Sequence, residues 1–429
     1  MAKYLGLTSE TISKRDKRTL MEIVPFEWHE YSLGDIYTER KMKGDPSLPV
    51  LTVSIHTGIS DSELDEEEIG KKVKRIEDKT QYKTAIAGDL VFNMMRAWQG
   101  AIGVAKTNGL VSPAYIVAKP GKEIYPPFMD YYMKTPKMIS QIHRQSYGVT
   151  DFRLRLYWDS FAAIPCILPP LSEQKIIAEI LATQDKVIQL LDRKIKQLKL
   201  LKKLYLKKMF PGKGCNVPEI RFPGFTDPWQ QRKLGEIGSL KNGMNFSKEA
   251  MGIGYPFVNL QNIFGRNEID ANNLDLAMAS PFQLKEYSLL DGDVLFVRSS
   301  VKLEGVGEAA IVPKNLENTT YSGFIIRFRD EIGLDKNFKR FMFSTEVIRK
   351  QIISQATDSA NKNVSQSVLS NLKFNLPDIN EQKAVGLFFA NLDNLITLHQ
   401  RKRDLEEQKK KALMQLLLSG IVRVKDQFD

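Results

Sequence analysis

Two octapeptides decide how this chain is built: Leu168-Pro169-Pro170-Leu171-Ser172-Glu173-Gln174-Lys175 and Leu376-Pro377-Asp378-Ile379-Asn380-Glu381-Gln382-Lys383. In each, proline stops the preceding segment. Ser172 and Asn380 are the expected N-caps, and Glu173 and Glu381 fall in the first turn, where an acid suits the helix dipole. From there to about Met209, and again to about Leu418, there is no proline and almost no glycine. At 1.5 Å per residue each predicted helix is roughly 55–60 Å long.

The first helix carries a heptad seam. Ile177, Gln184, Leu191, Leu198 and Tyr205 form one set; Leu181, Ile188, Ile195, Lys202 and Met209 form the other. A 3.5-residue period over five heptads predicts a coiled coil. The second helix keeps the seam at its ends, with Val385, Phe389, Leu392, Ile396, Leu413 and Leu417, while its middle, His399 to Lys411, is polar apart from Leu405 and its alanine neighbours. The expectation is an antiparallel pair within the chain, since each half must return the chain across a globular part. A homodimeric coiled coil is the alternative.

Further repeats lie between the octapeptides. Trp28-x4-Leu33-Gly34-Asp35-Ile36 recurs as Trp229-x4-Leu234-Gly235-Glu236-Ile237, offset by 201. Gly88-Asp89-Leu90-Val91-Phe92 recurs as Gly292-Asp293-Val294-Leu295-Phe296, offset by 204, and the octapeptides themselves are offset by 208. Three matches in one order with a slowly drifting offset mark a tandem duplication. Short apolar runs at 90–94, 101–105 and 114–118, then 293–297, 309–312 and 324–328, predict strands. Segments 126–144 and 336–356 predict helices opening near Phe128 and Phe338. The fold class is therefore α+β: two α/β domains in tandem pseudo-repeat, separated by two long antiparallel coiled-coil helices. The expected divisions are an N-terminal arm (1–25), a first domain (26–167), a central spacer helix region (168–217), a second domain (218–375) and a distal spacer helix region (376–429).

With 62 Lys+Arg against 51 Asp+Glu among 429 residues, the net charge is +11. That excess calls for an acidic partner, nucleic acid or an anionic membrane. No apolar run reaches 18 residues, which argues against a bilayer span. The start of the chain lacks the apolar core of a signal peptide. Two widely separated cysteines, Cys166 and Cys215, exclude a disulfide scaffold and fit a reducing, cytoplasmic setting. Most of the surplus lies in 167–217, at net +7, where Arg193, Lys194, Lys196, Lys199, Lys202, Lys203, Lys207 and Lys208 occur with no acid between them. A solvated helix face and a phosphate-facing one account for this equally well.

Catalytic signatures fail on inspection. Gly305-Val306-Gly307-Glu308-Ala309-Ala310 matches a dinucleotide pattern, but AAIVP after it reads as a strand, so no helix N-terminus would meet a pyrophosphate. Pro377-Asp378-x2-Glu381-x-Lys383 resembles a compressed nuclease signature and is better explained as a helix start. There is no phosphate-binding G-x4-G-K-[ST] loop and no Asn-Pro-Pro-aromatic motif. The four histidines, His29, His56, His143 and His399, lack metal-ligand spacing. No catalytic residue, metal site or cofactor site is expected on this chain.

What remains is polar, basic and aromatic loop chemistry. The candidates in the first half are Arg40, Lys41 and Lys43, then Arg96, Trp98 and Gln99, then Tyr147, Arg153 and Arg155. In the second half they are Lys241, Asn242 and Asn245, then Arg298, Ser299, Ser300 and Lys302, then Asn361, Lys362 and Asn363. Arginine binds guanine bidentately, Asn and Gln bind adenine, and Lys and Ser hold phosphates, which gives these groups a physical reason to meet double-stranded DNA. The acidic stretch Asp61–Glu68 is expected to point away from it.

Taken together, the paired Trp-x4-Leu-Gly-acid-Ile openings, the Gly-Asp strands, Arg221-Phe222-Pro223-Gly224-Phe225 and the two Leu-Pro…Glu-Gln-Lys helix starts resemble the specificity subunits of type I restriction–modification systems. The resemblance runs from about residue 26 to 420. It implies two target recognition domains, each reading one half of a bipartite, asymmetric DNA site. It implies spacer helices that fix the half-site gap and dock two methyltransferase subunits, with two restriction subunits joining outside. Glu173, Gln174, Ile177, Leu181, Ile188, Leu191, Ile195 and Leu198 would serve that role on the first helix, and Glu381, Gln382, Val385, Phe389, Leu392 and Ile396 on the second. S-adenosylmethionine, ATP and Mg²⁺ would belong to the partner subunits. A self-contained methyltransferase or nuclease with unrecognised motifs, and a protein-binding scaffold, are the competing readings.

Overall fold

The computed structural model describes residues 25, 27–55, 58–63, 77–148, 154–357 and 361–424. The arm before Pro25, His56, Arg153 and the acidic stretch beyond Glu63 lie outside them. The chain divides into two units. One comprises the residues up to Leu190 with those from Lys402 onward, and the other is Leu191–Arg401. Both boundaries fall within long helices.

The first unit is centred on a four-stranded antiparallel sheet of β1 (Tyr37–Glu39), β2 (Leu90–Asn93), β3 (Ile102–Val104) and β4 (Tyr115–Pro120), ordered β1-β4-β2-β3. β2 is buried throughout because both faces of the sheet are covered. Leu90 and Phe92 enter a core with Phe128, Met129 and Phe161; Val91 enters a second with Leu51, Val53 and Val111. Helix α1 (Leu171–Lys208) follows. The second unit repeats the plan with β5 (Gly238–Asn242), β6 (Val294–Val297), β7 (Ala309–Ile311) and β8 (Ile325–Asp330), ordered β5-β8-β6-β7, followed by α2 (Ile379–Leu418). Val294 and Phe296 face one core, and Leu295 and Val297 the other.

The repeated motifs now have physical reasons. Gly88 and Gly292 adopt φ of +98° and +80° in the turn entering β2 and β6, a conformation that favours glycine. The next residue, Asp89 or Asp293, accepts the Ile86 or Leu290 N–H at 2.8 Å and a bidentate arginine, Arg40 in one unit and Arg329 in the other. Gly34 and Gly235 leave room for Ala162 and Ser370; a Cβ there would come within 2.9 and 1.9 Å of those side chains.

Three sequence expectations need correction. The helices begin one residue before Ser172 and Asn380, so neither is the cap. Asp378 caps α2, its Oδ1 accepting from the backbone N–H of Asn380 at 2.8 Å and of Glu381 at 3.2 Å. Segments 126–144 and 336–356 each split, into Pro126–Tyr132 and Pro136–Gln145, and Lys336–Met342 and Glu346–Ser354. Thr135 and Thr345 stand as N-caps between the pieces. Finally, Glu173 and Glu381 are not solvated dipole acids: they are 4% and 0% exposed. Glu381 accepts from Arg221 Nε and Nη2 at 2.6 and 2.7 Å and from Trp229 Nε1 at 3.1 Å. Glu173 accepts from Trp28 Nε1 at 3.2 Å and from Arg423 Nη2 at 2.7 Å.

The helices pair antiparallel within the chain. In the first unit, Ile177 and Leu181 of α1 share a core with Leu417 and Leu418 of α2. Gln184 Nε2 donates to Glu406 Oε2 at 2.6 Å, and Lys410 pairs with Asp185 at 2.5 Å. In the second unit, Leu198 packs on Leu392 and Ile396, and Lys202 pairs with Asp393 at 2.5 Å. The two ion pairs are copies, since 185 and 393, and 202 and 410, both differ by 208. Seam residues Ile188, Leu191 and Ile195 are also buried, whereas Leu405 in the polar middle of α2 is 63% exposed.

Candidate nucleic-acid interface

Strand direction gathers one set of loops in each unit. β1 and β2 end where β4 begins, with Glu39 opposite Ala118 and Asn93 opposite Tyr115. The loops at 40–43, 94–101 and 112–114, with the described residues 146–148 and 154–157, therefore share one end of the sheet. In the second unit, Asn242 lies opposite Ile326 and Val297 opposite Ile325, which gathers the loops at 243–246, 298–308 and 322–324, with the described residues 355–357 and 361–364, in the same way. Matching hydrogen bonds tie them down. Leu156 N–H donates to Met94 O at 2.9 Å and Val364 N–H to Arg298 O at 2.9 Å; Tyr147 N–H donates to Arg155 O and Thr357 N–H to Asn363 O, both at 3.1 Å. The three groups of candidates named from each half of the sequence are thus structural counterparts that converge on one sheet end per unit.

Within the first unit, Lys41, Lys43, Arg96, Gln99, Tyr147 and Arg155 are exposed. Tyr147 stacks near Tyr157, ring centres 5.1 Å apart. Trp98 is half-buried, donates to Met95 O at 3.1 Å and meets His143 edge-on, so it anchors the loop. Arg40 is engaged internally: Asp89 holds its guanidinium at 2.6 and 3.0 Å. Arg153 lies outside the described residues. In the second unit, Asn245, Lys302 and Asn361 are exposed, and Asn242, Arg298, Ser300, Lys362 and Asn363 half-buried. Ser299 is buried, its strand paired with Lys362–Asn363. Lys241 is engaged internally by Glu286 and lies over the Tyr287 ring at 5.0 Å.

The sequence reading passed over four groups at these ends. Lys83 donates from Nζ to Tyr115 O at 2.6 Å, and burial pushes its pKa down. Met95 is 47% exposed, Val301 79% and Phe324 56%. Met95 and Val301 adjoin residues that were singled out, so proximity was their available signal, while residue type pointed to the core; Lys83 and Phe324 reach this end only through strand pairing.

The spacer residues Glu173, Gln174, Glu381 and Gln382 are spent inside the chain. Gln174 accepts the Tyr125 N–H at 2.8 Å and donates to Glu123 O at 2.9 Å; Gln382 accepts the Asp335 N–H at 3.1 Å and donates to Pro377 O at 3.0 Å. Ile177, Leu181, Ile188, Leu191, Ile195, Leu198, Val385, Phe389, Leu392 and Ile396 are buried as well. Their side chains are thus packed within the chain itself. The apolar surface left on the helices is different: Leu190, Leu200, Leu387, Leu398 and Leu405 are each more than half exposed.

Each unit thus carries a copy of one α/β domain with loops gathered at one sheet end, and each copy is followed by a long helix. The chain belongs to the family of the type I restriction modification DNA specificity domain, whose model matches residues 25–200 and 226–407. It is 26% identical to the putative type I restriction enzyme MjaX specificity subunit of Methanocaldococcus jannaschii over 95% of this chain and 97% of that protein. It is 28% identical to the MjaVIII specificity subunit of the same organism over 62% of this chain, a match that spans 64% of that subunit's length. The EcoKI specificity subunit of Escherichia coli is 25% identical over 65% of this chain and 62% of its own. Among solved structures, the S subunit of a type I restriction-modification system from M. genitalium aligns with a TM-score of 0.54 at 13% identity, over 92% of this chain and 98% of that one. A chain from a study of complex assembly and conformational transition of the type I R-M system aligns at 0.57 and 17%, over 93% and 99%. No helix among the described residues is long and apolar enough to cross a membrane.

Proposed function

We propose that this chain is the non-catalytic recognition subunit of a type I restriction–modification complex, and that each unit reads one half of a bipartite, asymmetric DNA site. One observation carries the reading: equivalent loops on equivalent sheets present unlike side chains, Arg96, Gln99, Tyr147 and Arg155 in one unit and Asn245, Arg298, Lys302 and Asn361 in the other. A single scaffold with two unlike surfaces suits two unlike half-sites. Arginine and amide groups reach base edges, while lysines take phosphates.

The paired helices set the gap between the half-sites. Their seam is fully used within the chain, so length rather than chemistry is what they contribute to spacing. The exposed leucines Leu200, Leu387 and Leu398 supply apolar surface for docking methyltransferase subunits, outside which restriction subunits join. S-adenosylmethionine, ATP and Mg²⁺ act on those partners.

The test is a map of methylated positions in DNA from cells carrying this chain with its methyltransferase partner. Two short unrelated motifs at a fixed separation are expected. Exchanging residues 26–166 for those of another family member should alter one motif and leave the other. A map without a bipartite motif, or an exchange that changes both motifs, refutes the proposal.

A further inference from the structure

At the loop end of the second unit lies a hollow of about 520 Å³, lined by Leu260, Phe264, Ser299, Ser300, Val301 and Phe324 among others. The corresponding loops of the first unit carry different side chains. Phe324 O accepts from Arg298 N–H at 2.8 Å, as Ala114 O accepts from Met94 N–H at 3.4 Å, so Phe324 stands where the first unit has alanine. The loop that carries Val301 is longer than its counterpart, with ten residues between Val297 and Glu308 against seven between Asn93 and Ala101, and Val301 is 79% exposed.

The apolar tip is held in place. Lys302 N–H donates to Ser300 Oγ at 3.1 Å and Gly305 N–H to Lys302 O at 3.1 Å. From behind, the Arg349 guanidinium donates to Glu304 O at 2.5 Å and Val306 O at 2.7 Å. A fixed loop that pushes valine into solvent beside an exposed phenylalanine presents a preformed apolar contact. Glu304 and Glu308 also line the hollow. Carboxylates repel phosphates, so this surface suits base edges rather than the backbone, while exposed Lys302 lies beside it for a phosphate. Of the four bases, only thymine offers an apolar group, its 5-methyl, in the major groove.

We propose that this hollow reads a thymine in the second half-site through its 5-methyl group, with Val301 and Phe324 as specificity-determining residues. The inference rests on the DNA-reading function proposed above.

The experiment uses the full chain assembled with its methyltransferase partner and a duplex carrying the mapped site. Thymines of the second half-site are replaced singly by deoxyuridine, which removes the methyl and keeps every hydrogen-bonding group. One replacement should weaken binding about fourfold, the worth of one buried methyl. Val301→Ala should bind the thymine and deoxyuridine duplexes alike, and Phe324→Leu should narrow the difference. Binding that changes by less than twofold at every replacement overturns the inference while leaving bipartite recognition standing. Loss of assembly with the methyltransferase in Val301→Ala, whose side chain touches little of its own chain, would assign the hollow to a protein partner and also overturn it. Absence of any sequence preference in the parent complex would instead refute the underlying reading.

Discussion

Replacing Glu381 with alanine should be the most damaging single change in the second unit. The carboxylate is fully buried and accepts three hydrogen bonds, two from Arg221 and one from Trp229, at 2.6, 2.7 and 3.1 Å. At about 1.5–3 kcal/mol per bond to a charged group, the sum would overshoot, because the guanidinium is rehydrated once freed. Arg221 retains 13% side-chain exposure and also donates to Asp227 O at 2.7 Å, which limits the loss. Breaking a buried pair from one side costs about 3–5 kcal/mol. We expect about 3–4 kcal/mol, or roughly 6–16 °C in Tm for a unit of roughly 200 residues. Glu381→Gln, which keeps an acceptor and loses the charge, should cost about half. The assay is urea unfolding of the full chain, joined to fluorine NMR of 5-fluorotryptophan protein, whose four resonances report the four tryptophans. The Trp229 resonance should move in Glu381→Gln and that of Trp28 in Glu173→Gln. A cost below about 1 kcal/mol for Glu381→Ala, or full additivity with Arg221→Ala, would refute the reasoning.

Other outcomes follow from the same contacts. Gln184→Leu with Glu406→Leu rebuilds in the first unit the apolar contact that Leu198 makes with Leu392, and should be neutral or stabilising by about 1 kcal/mol in denaturant melts; either single change should destabilise. Burial pushes the Cys166 thiol up to about 12, whereas Cys215 is exposed, so a thiol reagent at pH 8 should titrate one cysteine in the native chain and two in denaturant. The same shift makes the unfolded chain lose its proton first. Stability from this group is complete below the ordinary thiol value of 9.0 and declines as pH rises towards about 12, which alkaline melts will register. Adding one heptad after Leu191 and one after His399, midway between the Gln184–Glu406 and Leu198–Leu392 contacts, lengthens both helices by about 10 Å. It should widen the preferred half-site gap by about three base pairs without altering either motif, as methylation maps will show.

Much of this architecture was legible because its causes are periodic or repeated. The heptad seam put Ile177, Leu181, Leu198, Val385 and Phe389 in place, and burial follows that list closely. The duplicated Gly-Asp strands were legible for the same reason. The caps were missed because Ser172 and Asn380 are good capping residues that happen to sit one turn position inside the helix, while Asp378 does the capping. Glu173 and Glu381 were misjudged because local helix chemistry explains an acid there. Only tertiary structure shows that an arginine and a tryptophan, distant in sequence, converge on it. The site was half legible. Loop composition named three segments in each half that the structure brings to one sheet end, but could not tell Arg40, held by Asp89, from exposed Arg96. It also discounted valine and phenylalanine, which take their meaning from where the strands aim them.

The buried glutamates draw their arginines from different places. Arg221 follows α1 and serves the second unit, whereas Arg423 follows α2 and serves the first. During synthesis this separates the two halves in time. The second unit is one uninterrupted stretch, Leu191–Arg401, and can close as soon as it leaves the ribosome. The first must wait, its Trp28–Glu173 pair lacking a counter-charge until Arg423 emerges some 250 residues later. The half made first is therefore completed last, and a prematurely stopped chain would carry a finished second unit beside an unfinished first.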